Sequence, residues 1–130
     1  MTEEWKSILG FEGFFYSVSN LGRVKSMRRP IVGVDGKSRI RRERIMSGSI
    51  KTNGYLHVSL RRTGEKQIKR HVHLLVATAF LPEKATSEEV NHLDCNKLNN
   101  AVTNLEWCSH AKNMAHAGSN GRLSRPGKSR

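Results

Sequence analysis

The chain has 130 residues, 36% of them hydrophobic and 6% aromatic, and a formal net charge of +12. Such a length suits one compact unit, or two very small ones sharing a core, and so modest an apolar content argues against a large enclosed substrate pocket. No run of about 18 apolar residues is present, so no membrane span is expected.

The opening MTEEWKSILG is acidic where a secretory leader would be basic and then apolar, which makes the cytoplasm the expected compartment. FFYSVSNLGRVKSM follows and reads as strands over 15–19 and 23–27, joined by Asn20-Leu21-Gly22, with Asn and Gly suited to positive φ. Pro30 is expected to end that hairpin, and Asp35-Gly36 offers a further turn before a polar, Arg-rich stretch. In NGYLHVSLRRTGEKQIKRHV, Tyr55, His57 and Ser59 alternate with Leu56, Val58 and Leu60, and Thr63-Gly64 turns the chain into a second ribbon over 67–72.

Charge is concentrated in this same half. Residues 21–70 carry fifteen Lys and Arg against Asp35, Glu43 and Glu65, an excess of twelve, and the rest of the chain balances at zero. A polyanion lying across one part of the molecule is the expectation, with Arg23, Lys25, Arg28, Arg29, Arg41, Arg42, Arg61, Arg62, Lys69 and Arg70 as candidate DNA contacts. The plainer alternative is a solvated basic surface.

HLLVATAFLPE changes period, placing Leu74, Leu75, Ala77, Thr78 and Phe80 on a short, largely buried helix stopped by Leu81-Pro82. After EKATSEE comes a strand over 90–93, a polar loop over 94–103 and a strand over 105–108. Ser109 suits the N-cap of a helix over 110–117 that Gly118 ends, and the basic tail 118–130, without an apolar anchor, is expected to be disordered. Cys95 and Cys108 are too few for a disulfide scaffold and lack the paired spacing of a zinc knuckle.

VNHLDCNKLNNAVTNLEWCSHAKNMAHA, residues 90–117, resembles the HNH endonucleases, in particular the phage and intron-encoded homing enzymes with NHxDxNKxNN…NLEW and a trailing helix. WKSILGFEGFFYSVSNLGRVKS resembles the nuclease-associated modular domain that often precedes that motif. Together the two likenesses imply an α+β fold: antiparallel β-hairpins followed by a ββα-metal HNH motif. They also imply a division into a basic DNA-binding region (1–70), a nuclease domain (71–117) and a tail (118–130).

Carried over residue by residue, the resemblance makes His92 the general base, since a neutral imidazole with a pKa of about 6.5 can take a proton from the attacking water. Asn104 would support catalysis by tying the loop to the strands, while Asn91 and Asn113 would be ligands for one Mg²⁺ or Mn²⁺. His116, one helical turn beyond Asn113, would be an accessory group. Asn96, Asn99 and Asn100 read as turn residues. His71 and His73 read as structural or phosphate-facing, and Trp5 and Trp107 as core. A mixed zinc site from His92, Cys95, Cys108 and His110 matches no common finger and would consume the base.

Two positions depart from the family pattern. Asn91 stands where the best-described relatives carry an acid, and Cys95 stands where a Gly usually follows the Asp. The implied function is metal-dependent nicking or cleavage of double-stranded DNA by a monomer or weak homodimer, with a specificity partner in prospect. The alternative is a DNA-binding module of the same fold with impaired catalysis.

Overall fold

The computed structural model describes residues 2–8, 10–11, 15–62, 65–82 and 88–109. Strands β1 (Trp5–Ser7), β2 (Tyr16–Ser19) and β3 (Val24–Ser26) come first, followed by β4 (Arg29–Val32), β5 (Ser38–Arg41), β6 (Arg44–Met46) and β7 (Ser49–Ile50). The chain then runs through β8 (Leu56–Leu60), β9 (Ile68–His71), helix α1 (Val72–Phe80), β10 (Glu88–His92), a single 3₁₀ turn (Val102–Asn104) and β11 (Leu105–Ser109). Among the described residues these form four antiparallel sheets, ordered β1-β2-β3-β6, β4-β5, β7-β8-β9 and β10-β11. Among the described residues no helix is long and apolar enough to cross a membrane.

The first hairpin forms where its turn residues place it, pairing Tyr16 with Ser26 and Val18 with Val24. Only Gly22 takes positive φ there, at +91°. Asn20 has another use: its side-chain oxygen accepts the Glu4 N–H at 2.8 Å and its amide donates to the Thr2 carbonyl at 3.1 Å. Those bonds dock the segment leading into β1, a strand too short to show periodicity in the sequence.

Pro30 is not what ends the first hairpin, whose pairing already stops at Ser26. It lies inside β4, opposite Ile40 of β5. A two-stranded ribbon leaves both outer edges open, so a residue without an N–H is tolerated on one of them. Asp35-Gly36 makes the turn, with Gly36 at φ +79°. The polar, Arg-rich stretch after it contains β5 and β6. Thr63 and Gly64, expected to turn the second ribbon, lie outside the described residues, as do Ser109's expected helix and the tail.

Helix α1 buries Val72, His73, Val76 and Ala77, whereas Leu74 is 39% exposed. The expected face is therefore rotated: the 72–76 line, one turn apart on the helix, meets the sheets instead of a line through Leu74 and Thr78. Alternation in β8 also fails, because His57 is buried along with Val58 and Leu60. Both faces of that strand are covered.

One apolar cluster joins Ile8, Phe11, Tyr16, Val18 and Val24 of the N-terminal half to Val58, Leu60, Val72, Val76, Ala77, Val90 and Leu105. Each full burial of such a side chain contributes about 1.5–3 kcal/mol relative to exposure. The helix packs between the hairpins and the β10-β11 ladder, so residues 90–105 share a core with the N-terminal half.

Candidate active site

Strands β10 and β11 pair in register from Glu88↔Ser109 to His92↔Leu105. The connection between them turns on side-chain amides. Asp94 Oδ1 accepts the Asn96 N–H at 2.8 Å and an Asn104 amide hydrogen at 2.9 Å, and Oδ2 accepts from Asn99 Nδ2 at 2.9 Å. Asn104 Oδ1 accepts the Asp94 N–H at 3.1 Å, and its Nδ2 also donates to the Asn99 carbonyl at 2.9 Å. The Asn99 amide, with the Asn96 N–H and the Asn104 amide, holds the Asp94 carboxyl below the usual carboxylate range. Cys95 takes φ +63°, the left-handed conformation that glycine enters without cost and an L residue reluctantly.

That loop delivers Asn100 to His92. Both side chains are buried, the imidazole being 3% exposed, and His92 Nε2 lies 2.8 Å from Asn100 Oδ1. A carbonyl oxygen accepts only, so Nε2 is the donor in this bond. Asn100 reads as an ordinary turn residue in sequence. The one signal available was the surplus of amides at 96, 99, 100 and 104 beyond what a turn needs.

Around the imidazole stand other rings. Tyr55 lies 5.8 Å and His73 5.1 Å from His92 between centroids, and His71 lies 5.4 Å from His73. Burial first, then the neighbouring His92 and His71, pushes the His73 pKa down to about 3, and burial likewise lowers that of His71. Buried without a hydrogen-bond partner among the described residues are His57 Nδ1, His71 Nε2 and His73 Nδ1. These residues form a ring-lined wall.

Two turns from the N-terminal half brace the loop from outside. The Val102 N–H donates to the Asn20 carbonyl at 2.8 Å, and a Cβ on Gly22 would lie 2.9 Å from the Asn100 backbone. Lys97 Nζ donates to the Asn53 carbonyl at 2.9 Å and sits 4.8 Å from the Tyr55 ring centre. The residue that holds the histidine is thus itself held by the first hairpin.

Asn91 precedes the histidine and is buried, with Nδ2 donating to Glu106 Oε2 at 3.0 Å across the ladder. Asn113, His116 and His110 lie outside the described residues. No group of three or more His, Cys, Asp or Glu side chains among the described residues is arranged to hold a metal. An oxygen-seeking cation that keeps most of its water needs no such group, and the Asn91 carboxamide offers a suitable oxygen.

The ten basic candidates divide. Arg23 forms a two-pronged pair with Glu3, whose carboxyl it draws down to a pKa of about 2, and also lies over Trp5. Lys25 lies 4.3 Å from the Trp5 ring centre and 3.6 Å from Glu43. Arg29 donates to the Phe15 carbonyl and Ser26 Oγ, and Arg62 to the Gly10 carbonyl. These four are tied into the protein's own structure. Arg28, Arg41, Arg42, Arg61, Lys69 and Arg70 are exposed, and project no acidic pairing among the described residues.

Comparison with known proteins identifies two successive segments. Residues 3–61 match the model of the NUMOD4 motif, and residues 70–115 match that of the HNH endonuclease family. The chain is 35% identical to the DNA endonuclease I-HmuI of Bacillus phage SP01 over 92% of its own length and 60% of that protein's. It is 34% identical to the uncharacterized HNH endonuclease L245 of Acanthamoeba polyphaga mimivirus, over 93% of the chain and 32% of the relative. A solved structure concerning DNA binding and cleavage by the HNH homing endonuclease I-HmuI superposes with a TM-score of 0.72 at 35% identity, covering 92% of this chain and 60% of that one. The chain therefore spans between about a third and three fifths of the length of these relatives.

Proposed function

Because the chain belongs to the HNH homing endonuclease family, with a NUMOD4 motif ahead of its HNH domain, we propose that it is a metal-dependent DNA endonuclease that nicks or cleaves duplex DNA. In this reading His92 is the general base. Asn91 and Asn113 would hold one Mg²⁺ or Mn²⁺. The exposed cations of residues 28–70 grip the duplex, and residues 1–70 and 71–117 divide the work of binding and cutting.

The observation that supports this reading best is the 2.8 Å bond between His92 Nε2 and Asn100 Oδ1. It fixes the ring plane with Nε2 as the donor, and in this reading Nδ1 is the atom that takes the proton from water attacking the scissile phosphorus. Asn104 acts one step further back, fastening Asp94 and Asn99 and with them the loop that carries Asn100. A divalent cation bound at Asn91 and Asn113 would supply positive charge to stabilise the charge that builds on the phosphodiester as it is cut. The phosphodiester brings its own negative charge, so neutral amides suffice where many metal sites use carboxylates.

Nicking of supercoiled plasmid in Mg²⁺ or Mn²⁺ tests the reading. His92→Ala should lower the rate by about 10²-fold or more and leave duplex affinity nearly unchanged, with the circular dichroism spectrum recorded to verify folding. Wild-type protein that binds duplex DNA but cuts it with neither cation would establish instead the binding module with impaired catalysis, the reading that Asn91 and Cys95 favour.

A further inference from the structure

Asn91 is the position where a family pattern rich in acids gives way to a neutral amide, and the strand opposite carries the carboxylate. Asn91 and Glu106 are register partners on antiparallel strands, so both side chains leave the same face of the ladder, opposite to His92 and Leu105. Their contact is the 3.0 Å bond from Asn91 Nδ2 to Glu106 Oε2. An ionised carboxylate can only accept, so the NH₂ end of the amide must face Glu106 and the carbonyl end must face away from it. Asn91 is 2% exposed and Glu106 half-buried, and a hydrogen bond to a charged acceptor also polarises the amide, raising the electron density on Oδ1.

We propose that Glu106 is a positioning residue for the cation site, holding Asn91 so that Oδ1 is the donor presented to the metal and supplying the negative charge that a carboxamide lacks. This rests on the endonuclease reading above. Asn91 and Glu106 together do the work of one aspartate, with the ligating oxygen on one strand and the charge on the other. Outer partners of metal ligands act in this way generally: they fix the ligand's orientation and raise its basicity.

The test is Mn²⁺ binding by the full chain, read from the loss of the free-ion EPR signal, with plasmid nicking measured in parallel. Glu106→Gln keeps size and shape but removes the charge, and its Kd for Mn²⁺ should rise by about tenfold. Adding Asn91→Asp to that variant returns a carboxylate to the site and should restore the affinity to within about threefold of wild type. A merely structural role for Glu106 predicts no such rescue.

Asn91→Asp alone places two carboxylates together, so its melting temperature should fall without metal and rise more than the wild type's when Mn²⁺ is added. Unchanged Mn²⁺ affinity in Glu106→Gln, a double variant that stays weak, or a melting shift no larger than wild type's would each overturn the proposal. If wild type nicks and binds Mn²⁺ while Glu106→Gln does both equally well, only this inference falls. If wild type neither nicks nor binds Mn²⁺, the endonuclease reading falls with it.

Discussion

The β4-β5 ribbon and the loop between β10 and β11 are similar in length and opposite in construction. In the ribbon every residue of β5 is exposed, the tip carries the exposed Val34, and the side-chain bonds there join Asp35 to Arg39 and to the Lys37 N–H. In the loop Asp94, Asn99, Asn100 and Asn104 are fastened to one another, to the backbone or to His92. A cation that meets a phosphate works over several ångströms and tolerates a mobile arm, because Coulomb attraction falls slowly with distance. Proton abstraction does not, since a misplacement of about 1 Å can cost 10²-fold in rate.

The contrast predicts that small changes in the loop matter more than large ones in the ribbon. Asn100→Ala should lower nicking by about 10²-fold with duplex affinity within about twofold, as measured by plasmid nicking and fluorescence anisotropy. A loss under about threefold would show that the ring does not depend on this bond.

Gly22→Ala should be next in severity. Its φ of +91° and the 2.9 Å approach to the Asn100 backbone together predict a loss of about 1–3 kcal/mol in urea unfolding. Nicking should fall further than residual folded protein accounts for, because the shifted loop carries Asn100 with it.

The pH dependence comes third. The His73 pKa is lowered to about 3, so between that value and its unfolded value of about 6.5 the unfolded chain binds a proton that the folded chain refuses. His73 therefore adds to the fall in stability as the pH drops from about 6.5 toward about 3, and above about 6.5 its contribution is flat. His73→Gln should flatten the urea midpoint over that window. A midpoint that falls as steeply in the variant would assign the acid sensitivity elsewhere, to the neighbouring His71 or to Asp94, both of which have lowered pKa values.

The mildest effect belongs to the ribbon. If about six of the basic residues contact phosphates, log affinity should fall against log salt with a slope of about −5, and replacing both Arg41 and Arg42 by Ala should reduce it to about −3.5. A wild-type slope near −1 would break the comparison from the other side, leaving the basic surface merely solvated.

The sequence was most legible where local chemistry decides the structure. Gly22 and Asp35-Gly36 mark real turns, and the apolar run before Pro82 is a real helix, because positive φ and a missing N–H act on their own neighbours. It was least legible where partners are distant in the chain. The face of α1 depends on which sheets arrive beside it, β1 exists because Asn20 captures the Glu4 backbone, and Pro30 fits a strand only because its ribbon has open edges. Asn100 belongs to the same class: its bond to His92 spans eight residues of loop, and no periodicity reports a relation between one amide and one ring. The family motif located the histidine, but not what holds it.

The bracing of the loop by Asn20 and Gly22 also bears on inheritance. A gene fragment beginning near residue 70 would encode a helix stripped of the surfaces that cover Val72 and Val76, and a loop without its outer support. Recombination that separated the two matched segments would yield an unstable product from the downstream half, because its apolar residues pack against those of the upstream half, so these segments should move between genomes as one cassette.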